Sequence, residues 1–225
     1  MDLPFEQFPA LSAIKICRHV FTQRIPDVDV SHDKAEVLER LDAAHREIRD
    51  GTGFGNYPLF TAEQIHGNEI AIIDSYSRGP VDREFPSCDG ISTNQRGVAL
   101  GIYVADCCAV YIVDPKTPAI GLVHSGRKGT ELGVVTNAIR QMIERFGSDT
   151  QSMIVQLSPC IRPPHYEVDF ASEIVRQSSA LGIQRINDLS TCTACDLGRY
   201  YSYRAEKGKT GRMLAVLGLD PTIPN

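Results

Sequence analysis

The chain has 225 residues, ordinary apolar and charged fractions of 42% and 23%, and a formal charge of −5. That acidic balance, without any basic block, gives no footing for a nucleic-acid partner, and no run reaches the roughly 18 apolar residues that a membrane helix needs. The length suits one large domain with a substantial core.

Seven cysteines, two of them adjacent, read as core thiols, metal ligands or reactive groups rather than as a disulfide frame. The N-terminus lacks the basic n-region and apolar core of a secretory signal, so a cytoplasmic location is expected.

In chain order, Ile14 to Val20 reads as a first strand. Asp33 and Glu36 have the spacing of a capping pair, and Val37, Leu38, Leu41, Ala44 and Ile48 follow at helical spacing, predicting a helix over 34–49. Residues 51–60 form a loop that leads into a strand, and Glu69 to Ile73 is a short strand. Residues 75–97 carry little periodicity and read as loop with room for one short strand, Asp89-Gly90 being a turn signal. Three apolar runs follow, Val98 to Val104, Ala109 to Val113 and Ala119 to Val123. Each is short, continuous and bounded by turn residues, the pattern of a buried strand. Leu132, Val135, Ala138, Ile139, Met142, Ile143 and Phe146 trace one helical face that Gly147 ends. Met153 to Leu157 is a strand, 169–181 a helix, Cys192 to Cys195 a loop, and Met213 to Leu217 a final strand. Strands and helices mix without strict alternation, which predicts an α+β fold with mixed sheets in a single domain, 1–225.

The second and third of these strands are preceded and followed by chemically loaded residues. Cys107 comes just before one, and His124 directly ends the next. With His66 they make a set of one thiolate and two imidazoles. Three protein ligands with a fourth position open are the pattern of a catalytic zinc. Two other readings of the same residues stay open: Cys107 as a nucleophile with His124 as base, and a core cysteine with satisfied histidines. Cys107-Cys108 and the CxxC spacing of Cys192 and Cys195 offer a weak redox reading. Gly126-Arg127-Lys128-Gly129-Thr130, ahead of a helix, makes an anion site plausible, although it does not match the GxxxxGK[ST] phosphate loop. No nucleophile elbow is present for Ser-His-Asp catalysis.

Taken together, Gln64-Ile65-His66-Gly67, Cys88-Asp89-Gly90, Ala105-Asp106-Cys107, His124-Ser125-Gly126-Arg127-Lys128-Gly129-Thr130, Pro159-Cys160-Ile161 with Tyr166-Glu167-Val168, Cys192-Thr193, and Ser202-Tyr203-Arg204 with Thr210-Gly211-Arg212 form an ordered set. This set resembles the laccase-domain, or YfiH-like, family over roughly residues 60–215. Members of that family are described as polyphenol oxidases and as purine nucleoside phosphorylases. The resemblance implies a layered α/β/β/α fold, distantly related to the catalytic domain of the cytotoxic necrotizing factor toxins. It implies metal ligation by His66, Cys107 and His124, with zinc as the ion and copper as the alternative. It implies a purine nucleoside phosphorylase with adenosine deaminase activity as well, acting on a nucleoside and phosphate.

On that basis Asp106, Lys128 and Gln64 are the expected catalytic residues. Asp106 would orient a ligand, and Gln64, beside His66, would contact substrate. Arg127, Gly129 and Arg18 are the expected substrate-binding residues, with Arg127, Lys128 and the following helix N-terminus taking phosphate. The chain departs from the family pattern in having Arg127 for a tryptophan, Lys128 for an arginine and Ala109 for a proline. Near the N-terminus the family's arginine and Gly-Gly-Val-Ser stretch is reduced to Arg18-His19-Val20-Phe21. Two alternatives accompany this reading: a metal-free cysteine hydrolase or amidase using Cys107 and His124, and a non-catalytic paralogue that binds nucleosides. A conventional multicopper laccase is excluded by counting. A blue-copper centre takes two histidines, the trinuclear cluster of the wider multicopper oxidases about eight more, and the chain has six.

Overall fold

The computed structural model describes residues 3–75 and 82–223. Two six-stranded mixed sheets stack face to face, as the α/β/β/α expectation requires. The first is built from β1 (Phe5–Glu6), β2 (Cys17–Thr22), β3 (Leu59–Ala62), β5 (Arg83–Phe85), β7 (Ala99–Val104) and β12 (Met213–Leu219), in the order β1-β2-β12-β7-β3-β5. The second is built from β4 (Ile70–Ile73), β6 (Gly90–Thr93), β8 (Cys108–Asp114), β9 (Ala119–Ser125), β10 (Ile154–Leu157) and β11 (Arg185–Asn187), in the order β11-β10-β8-β9-β6-β4. In the first sheet β7 runs antiparallel to β12 and parallel to β3. In the second, β8 and β9 are antiparallel while β10 and β11 are parallel.

The continuous apolar runs have a simple cause: their strands are covered on both faces. Along β8, Ala109, Tyr111 and Val113 point into the core between the sheets, while Cys108, Val110 and Ile112 point to the helices outside. This is the two-residue period of a pleated strand with both sides buried. Across the sandwich, the Tyr111 hydroxyl donates to the Val20 carbonyl at 2.9 Å, so the largest inward side chain leaves no polar atom unpaired.

Helix α2 (Lys34–Gly51) packs Val37, Leu41 and Ile48 against the first sheet. Helices α4 (Val134–Phe146) and α5 (Phe170–Ala180) cover the second through Val135, Ala138, Ile139, Met142, Phe170 and Ile174. Each large apolar side chain so buried contributes roughly 1.5–3 kcal/mol.

Several boundaries differ from expectation for local reasons. Asp33 caps α2 by accepting from the amides of Ala35 and Glu36, but Glu36 turns to Arg40 instead of closing a reciprocal box. The helix read from Leu132 starts at Val134, because Gly133 takes φ +73° and separates it from a short α3 (Arg127–Glu131). The stretch read as loop over 75–97 carries both β5 and β6, its residues 76–81 lying outside the described residues. The strands β1 and β11 and the four-residue α1 (Pro9–Ser12) are too short to leave a periodic signal. Among the described residues no helix is long and apolar enough to cross a membrane.

Candidate metal centre

The pairing of β8 with β9 sets Cys108 opposite Ser125 and Ala109 opposite His124. Side-chain alternation then gives His124 the inward direction of Ile120 and Leu122, and gives Cys107 the direction of Ala109. Both functional groups therefore sit on one side, at the end of the sandwich. His66 arrives from the turn after β3. The ligating atoms of His66, Cys107 and His124 all lie within 4.8 Å of one another. Cys107 Sγ is 4.0 Å from His66 Nε2, and the two imidazoles meet edge to face with centroids 4.8 Å apart.

The sulfur fits because of a glycine. A Cβ added to Gly126 would stand 2.6 Å from Cys107 Sγ, closer than real contacts allow.

The turn that delivers His66 is backbone-strained. Gln64 and His66 have φ of +65° and +61°, values unfavourable to residues with a Cβ. Asp89, fully buried, holds this geometry. Its Oδ1 accepts from the His66 amide at 2.8 Å and its Oδ2 from the Gly67 amide at 2.6 Å. The same Oδ1 lies 2.8 Å from His124 Nδ1. A carboxylate on Nδ1 fixes the ring so that Nε2 is the free donor, the arrangement usual behind a ligating histidine.

Charge is shared across the cluster. Burial pushes the Cys107 thiol up, but the two imidazoles outweigh it and bring its pKa to about 6. Burial opposes protonation of His124, yet the Cys107 and Asp89 charges raise it to about 9. The set is thus poised as a thiolate beside an imidazolium, the state in which a cation would replace the extra proton.

The expected residues fall into distinct places. His66, Cys107 and His124 are brought together. The Asp106 carboxylate reaches none of the three: its Oδ1 accepts from Thr193 Oγ1 and its Oδ2 from the Arg204 amide, each at 2.7 Å, so it ties two loops to the base of the Cys107 turn. The carboxylate that reaches His66 and His124 is that of Asp89, which the sequence marks only as part of a turn and a family motif. Gln64 lines the cleft, but its amide is spent on the backbone of Tyr103, donating to the carbonyl at 2.6 Å and accepting from the N–H at 2.9 Å. Arg127 lines the cleft with its Nε on Glu131, while Lys128 is exposed and outside the lining. Gly129 is buried, where an added Cβ would lie 3.3 Å from the Gly67 carbonyl; it lets α3 pack on the His66 turn. Arg18, on β2, is paired with Asp220 and also lies outside the cleft.

The cleft has a volume of about 470 Å³, and aromatic residues that sequence reasoning gave no role, Tyr103, Tyr166, Phe170 and Tyr203, supply much of its wall. All seven cysteines are free thiols. Cys108 faces the helix-side core, Cys160 and Cys192 sit side by side in a two-residue bridge, and Cys195 is exposed on a 3-10 turn.

A family model described as multi-copper polyphenol oxidoreductase laccase matches residues 20–179 and 169–220. The chain belongs to this family. A relative from Corynebacterium glutamicum, named a purine nucleoside phosphorylase, is 31% identical over 199 residues, covering 76% of this chain and 78% of its own. One of the same name from Streptomyces griseus is 29% identical over 219 residues, 85% of each. The solved structure of YlmD from Geobacillus stearothermophilus superposes with a TM-score of 0.83 at 22% identity, over 97% of this chain and 99% of that one. YfiH of Bacillus licheniformis gives a TM-score of 0.79, also at 22%, over 91% and 93%. The family's multicopper description goes beyond the donors here: among the described residues the one cluster able to hold a metal is His66, Cys107 and His124. A soft thiolate with two imidazoles suits zinc or copper.

Proposed function

We propose that the chain is a zinc-dependent purine nucleoside phosphorylase that also deaminates adenosine. The observation that carries this reading is the clustered His66, Cys107 and His124 with Asp89 behind His124, opening on an aromatic-walled cleft of about 470 Å³. That volume is within the range of small-molecule sites. The names of the relatives favour a nucleoside as the occupant.

A divalent ion held by the three side chains would supply a Lewis acid at the cleft floor. The chain's own residues do the remaining work. The faces of Tyr166, Phe170 and Tyr203 give a purine stacking partners. Asp89 keeps the donor set in register. In phosphorolysis a phosphate oxygen forms a bond to the anomeric carbon while the glycosidic C–N bond breaks. The electron pair leaves on the purine, which takes up a proton. In deamination water adds to the purine carbon bearing the amine, and ammonia departs. Phosphate-dependent release of base from adenosine or inosine by the zinc-loaded protein tests the reading, and its absence would contradict it.

A second reading has its own support in the series Cys107, His124 and Asp89, which sets a thiolate beside an imidazolium that a carboxylate orients. That reading is a metal-free cysteine hydrolase or amidase. It requires activity that survives chelation and is lost on alkylation of Cys107.

A further inference from the structure

Four cations line the cleft: Lys34, Arg127, Arg204 and Arg212. Two of them are paired with carboxylates and a third is exposed to solvent. Arg127 holds Glu131 at 2.9 Å. Arg204 holds Glu167 at 2.6 Å and lies over the Tyr166 ring. Lys34 is an exposed residue at the first turn of α2.

Arg212 is different. It is half-buried at the entry to β12, and its Nη1 donates to the Thr210 and Gly211 carbonyls at 3.0 and 2.9 Å. Its guanidinium stands 5.6 Å from the centre of the Tyr203 ring. One edge of the fork is therefore fixed by its own turn and one side is held by an aromatic. Among the described residues no carboxylate pairs with it, and Nε and Nη2 have no acceptor. Cys107 and Asp106 are within electrostatic reach, but neither accepts a hydrogen bond from the guanidinium, and both Asp106 oxygens are taken by Thr193 and Arg204. The desolvation that lowers the Arg212 pKa is the cost of half-burying an unpaired cation, and an anion in the cleft would offset it. A guanidinium with one edge pinned and the other open is suited to a tetrahedral oxyanion, which accepts two parallel hydrogen bonds.

We infer that Arg212 binds the phosphate co-substrate, its free Nε–Nη2 edge receiving inorganic phosphate in the cleft that holds His66, Cys107 and His124. The inference rests on the phosphorylase reading for its substrate class. It moves phosphate away from Arg127, Lys128 and the helix that follows: Lys128 is outside the cleft, Arg127 is committed to Glu131, and α3 has only five residues.

The test uses zinc-loaded protein, with wild type, Arg212→Gln, Arg212→Lys and Arg127→Gln. Binding of inorganic phosphate is measured by calorimetry without nucleoside, alongside KM for phosphate and for inosine. Arg212→Gln is expected to weaken phosphate binding and raise phosphate KM at least about 10-fold, the loss of a charge-assisted pair, with inosine KM and zinc content unchanged. Arg212→Lys should fall between, since it keeps the charge and loses the fork. It also carries the test if melting shows that the Gln variant does not fold. Wild-type phosphate affinity in both Arg212 variants, or loss in Arg127→Gln alone, overturns the inference. So does dependence on Arg212 for adenosine 5′-monophosphate but not for inorganic phosphate. Failure of the broader reading looks different: phosphate binds in an Arg212-dependent way, yet no base is released.

Discussion

Asp89 Oδ1 lies 2.8 Å from His124 Nδ1 and, at the same distance, accepts the backbone N–H of His66. One carboxylate oxygen thus orients one candidate ligand through its ring and another through its backbone. Asp89→Asn should lower zinc affinity by roughly 10–100-fold, the range for loss of a partner behind a ligating histidine. Asp106→Asn should leave zinc affinity unchanged, because Asp106 touches no ligand. Competition against a chromogenic chelator measures both, and equal losses in the two variants would refute the assignment.

Gly126→Ala should abolish metal binding while the fold persists. The added Cβ would stand 2.6 Å from Cys107 Sγ, so the thiol must swing out of the cluster. Metal content and melting temperature read the two effects separately. A fully loaded Ala variant would contradict the packing argument.

The metal-free protein should be alkylated at Cys107 with a pH midpoint well below that of a free thiol. The histidines lower the thiol pKa to about 6, so thiolate is retained as pH falls until about that value. His124→Asn should move the midpoint upward. Saturating zinc should suppress alkylation at every pH. Iodoacetamide kinetics followed by peptide mass mapping decide it, and a midpoint near 9 in the wild type would be the opposing result.

Acid should destabilise the fold through two buried histidines outside the cluster of His66, Cys107 and His124. Burial holds both His19 and His45 near pKa 4, outweighing at His45 the Asp42 charge and a backbone contact at Arg212. A histidine depressed in the folded state favours the native protein fully above its unfolded pKa of about 6.5. That contribution is lost as pH falls toward 4, on the order of 3 kcal/mol for each group. His45→Leu should flatten the decline of melting temperature between pH 7 and 5. An unchanged slope would show that His45 does not contribute to the acid sensitivity.

The outline of the sandwich was legible where strands are buried on both faces. The runs around Val98, Ala109 and Ala119 are continuous apolar stretches because sheets and helices cover both sides of them. The grouping of His66, Cys107 and His124 was legible as chemistry and as a family motif, since a thiol and an imidazole flank adjacent strands. Its support was not. Asp89 sits beside a glycine in a polar stretch and gives only a turn signal; nothing local indicates that its side chain crosses to β9. Asp106, next to Cys107, looked like the orienting carboxylate by adjacency, but a left-handed φ of +85° turns it toward Thr193 and Arg204. Arg212 is 105 residues beyond Cys107 in the sequence (212 − 107), and only the placement of β12 beside β7 brings it to the cleft.

Whether His66, Cys107 and His124 hold an ion is decided by metal content in untagged, chelator-washed protein reconstituted with zinc, comparing wild type with Cys107→Ser. About one zinc per wild-type chain is expected and none retained by the variant, since an open three-ligand site loses its thiolate. Wild-type protein that retains no zinc, or a Cys107→Ser protein that retains as much, would contradict it.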